Sequence, residues 1–197
     1  MARGRYHAWA MNLVWFIANL LGVAVIGLLP FIHPLVPPIR GGMLVSSLIV
    51  GLPIGLAQWM ALRRVAPISL LWIFSISLTL PLALVTINNP VFLGAFGFVG
   101  DESVIALIDY AVIGLLGGLI QWVLLRRHFA KSFLWSLGSS AGLALGIGLA
   151  LASDLINQSG IASIILVVLV YALVTGAVLS RIVISGTKNE TSLPSAA

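Results

Sequence analysis

Six runs of about 20 apolar residues, nearly free of charge, constrain this chain more than any other feature. A helix rising about 1.5 Å per residue needs that length to cross a hydrocarbon core of about 30 Å. The runs are Ala10 to Leu29, Met43 to Leu62, Ile68 to Ile87, Val104 to Leu125, Ser132 to Leu151 and Ile161 to Ile184. They lack the polar alternation of a lumen-lining strand, so membrane-spanning helices are expected and a barrel is not. Composition agrees, because only 8% of the residues are charged, against about 25% in an average soluble domain. That leaves too little polar side chain to cover a water-facing particle. The first run is as long as the rest and carries no Ala-x-Ala-like cleavage site, so it is expected to stay in the membrane. The expectation is one all-α transmembrane domain over residues 1–197, with residues 185–197 as a flexible tail.

The ten basic residues sort by side. Arg3, Arg5, Arg63, Arg64, Arg126, Arg127, Lys131, Arg181 and Lys188 fall at one face and only Arg40 at the other. By the positive-inside rule both termini are expected in the cytoplasm. The net charge of +5 is then a topology signal rather than a nucleic-acid footprint, and attraction to anionic lipid headgroups follows from it.

The second and fourth runs are copies. Gly51 to Trp72 aligns with Gly114 to Trp135 at a constant offset of 63, with 12 of 22 positions identical. The shared pattern is Gly-Leu-x-x-Gly-Leu-x-Gln-Trp-x-x-Leu-Arg-Arg followed by Ser-x-Leu-Trp. A weaker third copy places Ala172, Thr175, Leu179 and Arg181 where Gly55, Gln58, Leu62 and Arg64 stand. The odd runs carry a partner element, Trp15 and Trp135 each seven residues before a glycine, with Thr79 in that place after Trp72. The unit reads as a two-helix hairpin repeated three times, giving six helices with pseudo-three-fold symmetry. Seams such as Gly51, Gly55, Gln58 and Leu62 have the spacing that faces a neighbouring helix, and small residues let backbones approach where lipid removes the hydrophobic drive. Gly138, Gly142 and Gly146 form a similar stripe.

These features nominate a few side chains. Gln58, Gln121 and Thr175 form a candidate polar ring in the bundle, either for a ligand or, as the spacing favours, for hydrogen bonds that fix helix register. Asn19 and Asp109 are intramembrane polar candidates, functional by default in hydrocarbon unless paired or wet. Trp59 and Trp122, four residues before Arg63 and Arg126, read together with Arg64 and Arg127 as interfacial anchors beside snorkelling arginines. The apolar segment Asn88 to Ser103 is too short to span and is expected at the interface, or as a lid. Catalysis finds little support. His7, His33 and His128 are dispersed, cysteine is absent, and no nucleophile elbow, zinc-protease or phosphate-loop motif occurs. No metal site is expected.

With Gln-Trp-x-x-Leu-Arg-Arg twice, Trp-x6-Gly helices and the Thr175-Gly176-x-x-Leu179 ending, the chain resembles a group of small multi-pass bacterial membrane proteins common among cyanobacteria. The resemblance covers all six runs and implies an inner or thylakoid-type membrane; it implies no activity. The function expected is that of a non-catalytic accessory or assembly subunit of a larger membrane complex, with membrane lipids as neighbours. A lipid or a lipophilic pigment is the class of cofactor such a bundle suits. The alternative is a small-solute binding or transport protein similar to the substrate-binding subunit of a vitamin importer.

Overall fold

The computed structural model describes residues 8–32, 42–87, 102–153 and 160–187. Regular structure among them is entirely helical: α1 (Ala8–Ile32), α2 (Gly42–Leu62), α3 (Trp72–Ile87), α4 (Glu102–Leu125), α5 (Leu134–Ala152) and α6 (Gly160–Thr187). Three stretches, Ser103–Leu125, Leu134–Ala152 and Ala162–Ser185, are long and apolar enough to cross a membrane, and Ala10–Gly22 and Gly51–Leu62 are shorter apolar helices. Arg40, nearly all of the segment 88–103, and residues 188–197 lie outside the described residues. Helix α6 runs to Thr187, so the first three residues expected in the tail are helical.

The third helix starts at Trp72 rather than at Ile68. Pro67 disfavours helical geometry at Ala66, and the Ser69 hydroxyl accepts the backbone N–H of Leu71 at 3.2 Å. The α2–α3 and α4–α5 turns, 63 residues apart, share five backbone hydrogen bonds, donated by residues 63, 65, 66, 72 and 73 and by their counterparts 126, 128, 129, 135 and 136. Ala66 and Phe129 each donate a backbone N–H to Leu62 and Leu125 at 3.1 Å, and Trp72 and Trp135 to Ser69 and Ser132 at 3.0 and 2.9 Å.

Each helix packs on its neighbours in the chain and α6 packs back on α1, closing a ring; among the described residues no other helix backbones meet. Glycines set the spacing of this ring. Gly51 and Gly55 lie against Ser77 and Ile73 of α3, and Gly114 and Gly118 against Ser139 and Ser136 of α5. A methyl group on Gly118 would stand 2.6 Å from the Ser136 Cα, inside any tolerable contact. On α5 the stripe Gly138, Gly142 and Gly146 faces α6 at Val178, Tyr171 and Val167.

A second set of contacts exchanges large for small. Gly22 of α1 faces Ile54 of α2, and Gly142 of α5 faces Tyr171 of α6. Between α3 and α4 the order reverses, with Thr79 on the odd helix facing Gly117 on the even one. Thr79, out of place as a copy of Gly22 and Gly142, is accommodated because its opposite number has no side chain.

At the end of the ring that carries the arginines, Trp15, Trp72 and Trp135 converge on the axis, each 0% exposed. Trp135 stacks edge-on against Trp15 at 5.2 Å between ring centroids and leans on Trp72 at 5.9 Å. Leu62, Leu125 and Leu179, also fully buried, complete this core with Met11, Phe129 and Ile182. A smaller cluster of Ile147, Ala150 and Val167 joins α5 to α6 towards the opposite end.

The Thr79–Gly117 exchange is open to a double-mutant cycle. Gly117→Ile should cost about 1–3 kcal/mol by overpacking in reversible unfolding from mild detergent. Adding Thr79→Gly, which recreates the α1–α2 arrangement, should return most of that loss despite the roughly 1 kcal/mol cost of glycine in a helix. Simple additivity of the two changes would show that the residues do not share one contact.

Candidate functional site

A polar side chain in a helix that meets hydrocarbon on one face and protein on the other is stable only if its hydrogen-bonding groups are used. Each of the three candidate ring residues accepts an indole N–H, and the three indoles cluster. Trp135 donates to Gln121 Oε1 at 2.8 Å, Trp72 to Gln58 Oε1 at 3.3 Å, and Trp15 to Thr175 Oγ1 at 3.0 Å. In both glutamine pairs donor and acceptor are 14 residues apart, across one turn; in the third they are 160 apart, on α1 and α6.

The amides pass the chain of bonds onward. Gln121 Nε2 donates to Ser75 Oγ at 3.1 Å, and Ser75 donates to the Trp72 carbonyl at 2.7 Å. Gln58 Nε2 donates to Asn19 Oδ1 at 3.0 Å, and Asn19 donates to the Trp15 carbonyl at 2.8 Å. Thr175 ends the series by donating to the Tyr171 carbonyl at 2.6 Å. One relay therefore runs from α5 through α4, α3, α2 and α1 to α6. It stays open between α6 and α5, where threonine is too short to reach across. Tyr171 comes near Ser139 there without forming a well-aligned hydrogen bond.

Asn19 belongs to this network. Asp109 does not: it lies 12 residues before Gln121, which at about 100° per residue turns it some 120° away from the network, and it is half-buried. Ser75 and the indoles of Trp15, Trp72 and Trp135 are the members that the nominated set omitted. The repeated 14-residue step from Gln to Trp was the signal for two of them.

The α6–α1 contact differs from the α2–α3 and α4–α5 contacts in a way the packing explains. Helix α1 begins seven residues before Trp15, whereas α3 begins on Trp72 and α5 one residue before Trp135. The extra turns of α1 occupy the space taken by Trp59 and Trp122 in the other two units. Gly176, in their place, lies where a Cβ would already stand 3.4 Å from the Trp15 ring and 3.5 Å from Asn12 Oδ1. Ser180 closes this seam with a hydrogen bond to Asn12.

Trp59 and Trp122 are half-buried at the arginine end. The Arg63 guanidinium sits 4.7 Å from the Trp59 ring centre and that of Arg126 5.4 Å from Trp122. Trp59 also donates its N–H to the Ile68 carbonyl at 3.0 Å, pinning the turn. Trp122 meets Phe133 edge-on at 5.8 Å. Arg63, Arg64, Arg126, Arg127 and Arg181 are all exposed. Among the described residues no group of three or more His, Asp or Glu side chains could hold a metal ion. No family model, no curated protein and no solved structure matches the chain.

The relay carries a stability prediction. Gln121→Leu and Gln58→Leu each strand an indole N–H and a partner on the preceding helix, and each should lose about 1–2 kcal/mol in detergent unfolding. Thr175→Val, which breaks one interhelical bond, should lose about half as much. Glutamine variants as stable as the wild type would remove these residues from the fold's support and make the ring a ligand site.

Proposed function

We propose that the chain is a non-catalytic integral membrane protein that serves as an accessory or assembly subunit of a larger bacterial membrane complex. In this reading all six helices span the membrane as three repeated hairpins with both termini cytoplasmic. The pairs are α2–α3, α4–α5 and a split pair, α6 with α1. The observation that carries the functional part is the state of three buried amides and one buried threonine. Gln58, Gln121, Thr175 and Asn19 spend their hydrogen bonds on one another and on three tryptophans. Groups consumed in this way set register and rigidity rather than chemistry. The tryptophans also fill the axis at the arginine end, which opposes a continuous solute path.

What remains for recognition is the outside of the ring. Leu13, Ile17, Leu21, Leu78, Leu145 and Leu173 are about half exposed or more. Such a surface suits lipid, a lipophilic pigment or the helices of another subunit. The membrane expected is the inner or thylakoid-type membrane of a bacterium.

A second reading, a small-solute binding protein similar to the substrate-binding subunit of a vitamin importer, has one observation in its favour. From Ser103 to Ile113 helix α4 has no buried residue on any face, whereas from Gly114 to Leu125 it is buried every three or four residues. The ring is thus tight at its arginine end and looser along α4 at the other.

Mass spectrometry of the native protein released from mild detergent separates the two. The accessory reading expects a partner subunit or a lipophilic molecule at fixed stoichiometry. A bound water-soluble small molecule would transfer the assignment to the second reading, and a bare monomer would sink the first.

A further inference from the structure

We propose that the α4–α5 turn is a binding site for the phosphate headgroup of an anionic phospholipid, with a weaker counterpart at the α2–α3 turn. The inference rests on the membrane reading above and adds to it a defined ligand class and location.

The stronger site begins with Arg126. Its guanidinium is held against the face of Trp122, and Phe133 braces the same indole from its edge. A guanidinium held over a ring and exposed to solvent keeps N–H donors with which to grip two oxygens of a phosphate. Arg127, His128 and Lys131 follow on the same turn, all exposed. The two carboxylates among the described residues are Glu102 and Asp109, in the first turns of α4. Asp109 is 17 residues from Arg126, roughly 25 Å along the helix. Neither reaches this end to neutralise it.

The apolar half of the site comes immediately after the basic one. Phe133 and Leu134 are 49% and 40% exposed, on the turn that carries Arg126, Arg127 and Lys131. In water that exposure is unfavourable. At the boundary between headgroups and acyl chains it places the aromatic and aliphatic groups among the chains and the cations among the phosphates. A soluble phosphate would satisfy only the cations, so the adjoining apolar pair selects a lipid.

The α2–α3 turn repeats the plan with fewer cations. Arg63 stacks on Trp59, Arg64 is exposed, and Leu70 and Leu71 take the places of Phe133 and Leu134. The positions of His128 and Lys131 are Val65 and Ile68, and Ile68 is buried in the core. Two cations at this turn, Arg63 and Arg64, against three at the other, Arg126, Arg127 and Lys131, fix the order of affinity.

The test is native mass spectrometry and thermal unfolding of the full chain in mild detergent. Phosphatidylglycerol, phosphatidylcholine and inorganic phosphate are titrated separately, after the expressed protein has been located by membrane fractionation. Phosphatidylglycerol should bind and stabilise, while phosphatidylcholine and inorganic phosphate should do so at least tenfold less. Arg127→Gln should weaken phosphatidylglycerol binding about fivefold, and Arg64→Gln should weaken it less. Arg126→Lys keeps the charge and loses the stacked fork, so a loss there reads geometry rather than net charge. Equal binding of the two lipids, or an unchanged affinity in Arg127→Gln, overturns the proposal. Tight binding of inorganic phosphate overturns the lipid assignment. A wild-type protein absent from the membrane fraction overturns the membrane reading instead, which keeps the two failures distinct.

Discussion

An indole N–H shut away from water has to find an acceptor, and three of them meet on the axis of this ring. In lipid the burial of one more leucine gains little, because the acyl chains offer the same environment. Helix association then rests on close backbone approach and on hydrogen bonds, and both are present at one level. The glycine seams draw α2 onto α3 and α4 onto α5. That approach lets Gln58 and Gln121 reach across to Trp72 and Trp135 while still touching Asn19 and Ser75 behind them. Removing the glycines would move the glutamines out of reach; removing the glutamines would leave tryptophans with an unmet donor in the core.

The helices and the indole acceptors Gln58, Gln121 and Thr175 were legible because they depend on spacing along one chain. The offset of 63 carried Gln58 onto Gln121, and the weaker copy carried Thr175 to the same depth. Partner choice was not legible, because it depends on what lies across a helix interface. Asn19 showed as a lone amide in an apolar run, and only the packing of α1 on α2 reveals Gln58 as its donor. Thr79 looked like a flaw in the pattern for the same reason: its compensation, Gly117, is on another helix. The start of α3 at Trp72 was missed because hydropathy continues through Ile68, Leu70 and Leu71 while Pro67 and Ser69 decide the backbone. The arginine–tryptophan stacks follow the four-residue spacing that places both groups on one helix face.

The third pair differs from the other two because no turn connects its helices. α2 and α3, and likewise α4 and α5, are joined by short turns with matching hydrogen bonds, and each has a tryptophan packed at that turn. α6 and α1 meet as the two ends of the described chain, so helix replaces turn, Asn12 replaces the indole, and glycine stands where tryptophan would collide. Threonine suffices as the acceptor for Trp15, although it cannot carry the relay on to α5. The substitution of Thr175-Gly176 for Gln-Trp is therefore a consequence of chain connectivity.

Connectivity also sets a timetable. Trp15 is made early and its acceptor 160 residues later. At synthesis rates of roughly 5–20 residues per second, that interval is on the order of 8–30 s. Until α6 is made, α1 lacks the partner that supplies this acceptor. A contact of such long sequence separation forms against a loop-closure entropy that grows, slowly, with the length of chain between its ends. Trp15 therefore waits for its acceptor, whereas Trp72 and Trp135 are made after theirs.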